Sequence, residues 1–193
     1  QAAKTVYYTW EVYKMGLFLD LGILKNCDKI KAKKILDAWA KDRTSDISPD
    51  ECQLDEQNGD TVILLNADSN FEGNAQFFKY ASSKTNDAVM SLYIYDGDYW
   101  GYNLFDNGQE IDKFNPLPDY FDDIDESEIE AYKGNSDIVA QYFNINKDSI
   151  ENYLIFWTDE LMDEGTAYEN DEFGYEDWQL VDFMEKLGYK YFE

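Results

Sequence analysis

Residues 89–121 read VMSLYIYDGDYWGYNLFDNGQEIDKFNPLPDYF, and the expected fold is built outward from them. Two dipeptides divide the stretch, Asp96-Gly97 and Asn107-Gly108. Both tolerate positive φ at the two central positions of a type I′ turn, whose twist suits the flanking strands of a hairpin. Three consecutive antiparallel strands are therefore expected, with Pro116 and Pro118 marking the exit. With two residues in each turn, Tyr93 pairs with Trp100 and Leu104 with Ile111. One face of this meander then carries Val89, Ser91, Tyr93, Trp100, Tyr102, Leu104 and Ile111. The other carries Met90, Leu92, Ile94, Tyr99, Gly101, Phe105 and Phe114. Both faces hold large apolar side chains, so helices or further strands must cover much of each.

The flanking sequence supplies them. Residues 28–42, DKIKAKKILDAWAKD, place Ala32, Ile35, Leu36 and Trp39 at helical spacing, with Lys29, Lys33, Lys34 and Lys41 pointing elsewhere. Asn26 or Asp28 can cap the start. Residues 5–25 fit neither period cleanly and are read as a helix interrupted near Gly16. Residues 44–60 are polar and turn-rich, and 61–65 form a short buried strand. Asn74 to Ser82 reads as a short helix, with a strand as the alternative. Beyond the meander, Asn135-Ser136-Asp137 starts a helix over 138–143 and Lys147-Asp148-Ser149 one over 150–157. A last helix spans about 176–187, with Gly188 stopping it. The expected fold is a single α+β domain over 1–193: a central antiparallel sheet containing the meander at about 89–115, packed by N- and C-terminal helices.

Composition narrows the function. The chain of 193 residues is 44% apolar and 17% aromatic, enough for a real core despite a net charge of −25. Residues 1–43 hold nine Lys/Arg against five acids, a balance of +4. The remainder holds seven bases against thirty-six acids, a balance of −29. Nucleic acid is a poor partner for such a surface, because phosphate binding needs neutralising cations. Basic proteins or metal cations are the partners an acidic field favours. Histidine is absent, which removes the commonest general base, the Ser-His and Cys-His pairs and the usual zinc ligand. Cys27 and Cys52 lack metal-ligand spacing; they can pair with each other, but free thiols in a reducing cytosol are expected. No apolar run approaches the roughly 20 residues of a membrane span, and no signal peptide is visible. The expected location is cytoplasmic.

Several constellations are candidate sites. Asp68-x-Asn70-x-Glu72-Gly73 has the opening of a calcium loop, but Lys79 stands where the loop needs a bidentate Glu. Asp96 and Asp98 could hold a cation or share a proton, although turn chemistry already explains Asp96. The stronger candidates are two acidic segments, 119–130, with seven acids in twelve positions, and 159–172. They supply Asp122, Asp123, Asp125 and Glu126, then Asp159, Glu160, Asp163, Glu164, Asp171 and Glu172. Aromatics are interleaved with them: Tyr120 and Phe121 in the first, Tyr168, Phe173 and Tyr175 around the second. Carboxylates pair with Arg and Lys, and aromatics anchor interfaces.

The string DGDYWGYNLFDNGQEIDKFNPLPDYF, with YKGNSDIVAQYF and YLIFW after it, resembles small acidic immunity proteins of polymorphic-toxin and contact-dependent competition systems. The resemblance covers about residues 89–157 and transfers no catalytic residue. It implies a binding protein without cofactors that neutralises a basic toxin domain, a nuclease for instance, by filling its cationic cleft. Two other readings stay open: a carboxylate- or metal-dependent hydrolase using Asp96, Asp98 or the 122–126 cluster, and a structural protein whose acidity serves solubility.

Overall fold

The computed structural model describes residues 16–42, 47–66 and 71–192. Its strands are β1 (Leu19–Leu24), β2 (Gln53–Gln57), β3 (Asp60–Leu64), β4 (Val89–Tyr95), β5 (Tyr99–Asp106) and β6 (Gln109–Phe114). They form one antiparallel sheet in the order β2-β3-β1-β4-β5-β6. The helices are α1 (Lys29–Asp42), α2 (Phe71–Thr85), α3 (Glu126–Glu130), α4 (Ser136–Phe143), α5 (Asp159–Glu164) and α6 (Gln179–Lys186). The expected α+β architecture is present, with helices from both ends of the chain covering opposite faces of the sheet.

One face packs Leu24, Ile63, Val89 and Phe105 against Ala32, Ile35, Leu36 and Trp39 of α1 and Phe77, Phe78 and Ala81 of α2. The opposite face packs Leu21, Ile23, Leu92, Trp100, Tyr102 and Phe114 against Val139 and Phe143 of α4, Tyr153, and Leu180, Phe183 and Met184 of α6. Asp28 Oδ1 accepts from Lys31 N at 2.7 Å, so Asp28 caps α1.

The meander forms, but its register differs from the expected one. Asp96 (φ 53°) and Gly97 (φ 72°) do take the left-handed conformation, and Asp98 N donates to Tyr95 O at 2.9 Å. The ladder resumes at Tyr99 rather than Asp98, so Ile94, not Tyr93, lies opposite Trp100. Asp98 stays in solvent, while Trp100 is fully buried and its indole N–H donates to Gln179 Oε1 at 2.9 Å. At the second turn Asn107 (φ 48°) and Gly108 (φ 76°) form a two-residue loop with Asp106 opposite Gln109. A bulge then places Leu104 opposite Asp112, not Ile111. It brings Phe114 beside Tyr102 in the core, where the Tyr102 hydroxyl donates to Asp112 at 2.6 Å.

Other expectations change as well. Residues 19–24 are a strand, not part of a helix, and residues 5–15 lie outside the described residues. Paired on both sides and buried along its whole length, β1 has no solvent-exposed face. Gly22 belongs to that packing: a Cβ there would lie 2.1 Å from the Phe78 ring. The polar segment 44–60 contributes the edge strand β2, and 150–157 holds a 3₁₀ turn, Glu151–Tyr153, in place of a helix. Asp68 and Asn70 lie outside the described residues; Gly73 is inside α2, where no calcium-loop turn can form. The thiols of Cys27 and Cys52 are both free.

Candidate functional site

The α1/α2 face of the sheet changes character along its strands, and strand register makes the change visible as rows. Leu24, Val89 and Phe105 lie side by side beneath the helices. The next row is Gly22, Ser91, Asn103 and Lys113, followed by Asp20, Tyr93 and Gly101. Beyond these, Phe18 meets Tyr95, which pairs with Tyr99. The two polar rows floor an open cleft of about 760 Å³, bordered by Ala75 and Gln76 of α2 and by Pro118, Phe121 and Tyr132 of the following loop. Side-chain period two produces this arrangement: the same strands bury Leu92, Ile94 and Trp100 on their other face.

At the cleft's outer end five aromatic rings associate. Tyr95 and Tyr99 stack with centroids 5.6 Å apart; Phe18 and Phe121 meet Tyr95 edge-on at 5.2 and 5.0 Å, and Tyr120 lies 5.2 Å from Tyr99. The hydrogen bond from Gly97 N to Leu17 O, 2.8 Å, ties the hairpin tip to the segment bearing Phe18. Phe18, Tyr120 and Phe121 remain 40%, 41% and 64% exposed. Three large rings in solvent within one cluster are an unusual use of apolar area. The Tyr120 hydroxyl donates to Asp98, and that bond pushes the phenol up to about 12.

Acids surround the cluster. Asp96, Asp98, Asp119, Asp122 and Asp123 are all exposed beside or within the segments that carry the rings. Asp125 and Glu126 are exposed at the start of α3, where Glu128 Oε2 accepts from Asp125 N at 3.3 Å in a capping arrangement. In the second acidic segment, Asp159, Glu160, Asp163 and Glu164 make up most of α5 and face solvent, as does Glu172. Asp171 is different. Its carboxylate accepts from Ala167 N at 2.8 Å and Phe173 N at 3.0 Å, which makes it a staple of its own loop. Trp157 N donates to Pro116 O at 3.0 Å, so the chain enters both acidic segments from one corner. Only the first segment carries rings of the aromatic cluster.

Asp20 is a site residue with no counterpart among the sequence candidates. It is 4% exposed and lines the cleft. Burial raises its carboxyl from 3.8 to about 7, opposed in part by a hydrogen bond from Asn74 Nδ2 at 2.8 Å. The alternation of Leu19, Leu21 and Ile23 around it is the signal that could have found it. Among the described residues no group of three or more His, Cys, Asp or Glu side chains is arranged to hold a metal ion. Nor is any helix among them long and apolar enough to cross a membrane. No protein-family model matches the chain, and neither curated proteins nor solved structures show significant similarity to it.

Proposed function

We propose that this protein is a binding module that docks a basic protein partner through the Phe18–Tyr95–Tyr99–Tyr120–Phe121 cluster and the acids around it. The observation that carries the reading is the exposure of three packed rings beside the carboxylates of Asp96, Asp98, Asp119, Asp122 and Asp123. Interface hot spots have this composition: aromatic anchors at the centre and a charged rim that steers and orients the partner. A net charge of −25 adds long-range attraction for a cationic surface and speeds encounter. In its narrower form the proposal is an immunity-type inhibitor whose partner is a basic toxin domain, the acids of 122–126 and 159–164 entering the cleft that the toxin uses for phosphate.

The test is capture from the source cells at low salt, with the product of the adjacent gene coexpressed. Wild-type protein is expected to retain one stoichiometric basic protein that salt releases. A Tyr120→Ala/Phe121→Ala variant and an Asp122→Asn/Asp123→Asn variant are expected to lose it. Retention of the same protein by both variants would defeat the reading. For the narrower form, coexpression must protect cells from the captured protein's toxicity.

A further inference from the structure

Three buried carboxylates among the described residues can be compared by what balances them. Asp60 has the ammonium of Lys25 at 2.9 Å, the Asn26 N–H and the Tyr189 hydroxyl. Asp182 accepts from the hydroxyls of Tyr153 and Tyr168. Among the described residues, the Asp20 carboxylate receives one neutral amide, from Asn74. A buried carboxylate with so little compensation is costly unless it is protonated or meets a cation. Asp20 is also the one of the three that lines an open cleft rather than the packed core.

What surrounds it favours a cation of a particular kind. Among the described residues, the titratable groups that line the cleft with Asp20 are the phenols of Tyr93, its neighbour on β4, and of Tyr95, Tyr99 and Tyr132, with Glu110 and Lys113 at the β6 side. Helix α2 adds Asn74, Ala75 and Gln76, none of which titrates. Lys113 is already engaged, 4.1 Å from the Tyr132 ring centroid and 3.8 Å from Glu110 Oε1. That pairing demonstrates within the cleft that a tyrosine face and a carboxylate together hold an ammonium. It also lies two positions along β6 and β5 from the Asp20 row, so among the described residues no cation pairs with Asp20. Anions are repelled by Asp20 and Glu110. A hard divalent ion needs several oxygen anions in a close shell, and one carboxylate among amides and phenols does not provide it.

We propose that this cleft is a receptor for one organic cation, an alkylguanidinium or alkylammonium group, with Asp20 as counter-ion and tyrosine side chains among its walls. Tyr95, Tyr99 and Phe121 belong to both the cleft and the aromatic cluster, so an arginine or lysine of a docked partner would enter it directly. A free small cation has the same chemistry. The inference rests on the docking reading only for the first of these two sources.

The experiment is calorimetric titration with N-acetylarginine amide and N-acetyllysine amide, using N-acetylglutamine amide as the neutral control. At pH 8 the cationic probes are expected to bind one to one. Asp20→Asn, which keeps the shape and the Asn74 hydrogen bond, is expected to weaken them at least about 30-fold. In the wild type, affinity falls about 30-fold between pH 8 and pH 5.5, because Asp20 must give up a proton held to about pH 7. The variant's affinity stays flat over that range. Asp122 and Asp123 lie outside the cleft lining, so Asp122→Asn/Asp123→Asn weakens partner docking without removing a wall of the cleft, and the two proposals fail separately. Loss of partner affinity in Asp20→Asn identifies a partner side chain as the ligand; unchanged partner affinity identifies a free cation. Equal binding of the neutral control, undiminished binding by Asp20→Asn, or no saturation by either cationic probe at pH 8 overturns the inference.

Discussion

Replacing Asp20 by Asn is expected to make this protein more stable at neutral pH, and the size of the gain follows from where the carboxyl sits. In the folded chain Asp20 holds its proton up to about pH 7, against an ordinary value of 3.8. Between those values the folded state binds more protons than the unfolded chain, so the Asp20 contribution to stability declines as pH rises through that window. It is fully retained below pH 3.8 and fully lost above about pH 7. Each unit of separation corresponds to about 1.4 kcal/mol, which gives a penalty of about 4 kcal/mol at pH 8. The amide carries no charge in either state, and its oxygen still accepts the Asn74 hydrogen bond. The other carboxylates are common to both proteins, so subtracting wild type from variant cancels most of their contribution. Urea denaturation at intervals from pH 4 to pH 8 is the assay. The variant is expected to match wild type near pH 4 and to exceed it by about 4 kcal/mol at pH 8. For a chain of this size that corresponds to roughly 10 °C in Tm. A stability difference that stays constant across the range, or a variant less stable than wild type at pH 8, would refute the reasoning.

Other substitutions test the packing and the docking face. Gly22→Ala drives a Cβ into the Phe78 ring, with 2.1 Å available, and is expected to cost about 3 kcal/mol by chemical denaturation. Lys25→Met leaves Asp60 buried without its cation and is expected to cost about 3 kcal/mol, with loss of the Tyr189 anchoring seen as faster amide exchange in residues 187–192. Phe121→Ala removes a ring that is 64% exposed, so Tm should barely move while partner affinity falls about 30-fold. Partner association should slow steeply between low and physiological salt, because the rim carboxylates act mainly on encounter rate.

Much of the fold is legible in the residues themselves. Asp96-Gly97 and Asn107-Gly108 announce their turns because few residues accept positive φ, and both turns form with that geometry. Helix α1 is equally plain, since a solvent-facing side forces its apolar residues into a 3.6 period. Strand β1 is hidden for the opposite reason. Leu17, Leu19, Leu21 and Ile23 do alternate, but burial on both faces leaves no run of polar residues to expose the period. Of the ten candidate carboxylates, Asp122, Asp123, Asp125, Glu126, Asp159, Glu160, Asp163, Glu164 and Glu172 are exposed, in keeping with their density along the chain. Asp171 is committed to backbone amides, a local arrangement that composition does not encode.

By itself, the sequence determined the acidic field, the absence of histidine chemistry, the turns of the meander and an α+β domain, because each depends on residue type or on neighbours a few positions away. Tertiary structure decided the register of the hairpins, the gathering of Phe18 and Tyr95 with Phe121 into one cluster, and the placing of Asp20 beside Tyr93 and Gly101. The hairpin registers depend on a single extra residue, Asp98, in one loop and a bulge at Ile111 in one strand, whereas Asp20 reaches Tyr93 through the pairing of β1 with β4, strands about 70 residues apart in the chain. Side chains alternate with a period of two, so a one-residue shift sends each side chain to the opposite face; core packing around Trp100 and Phe114 selects the register, and with it the chemistry of the cleft.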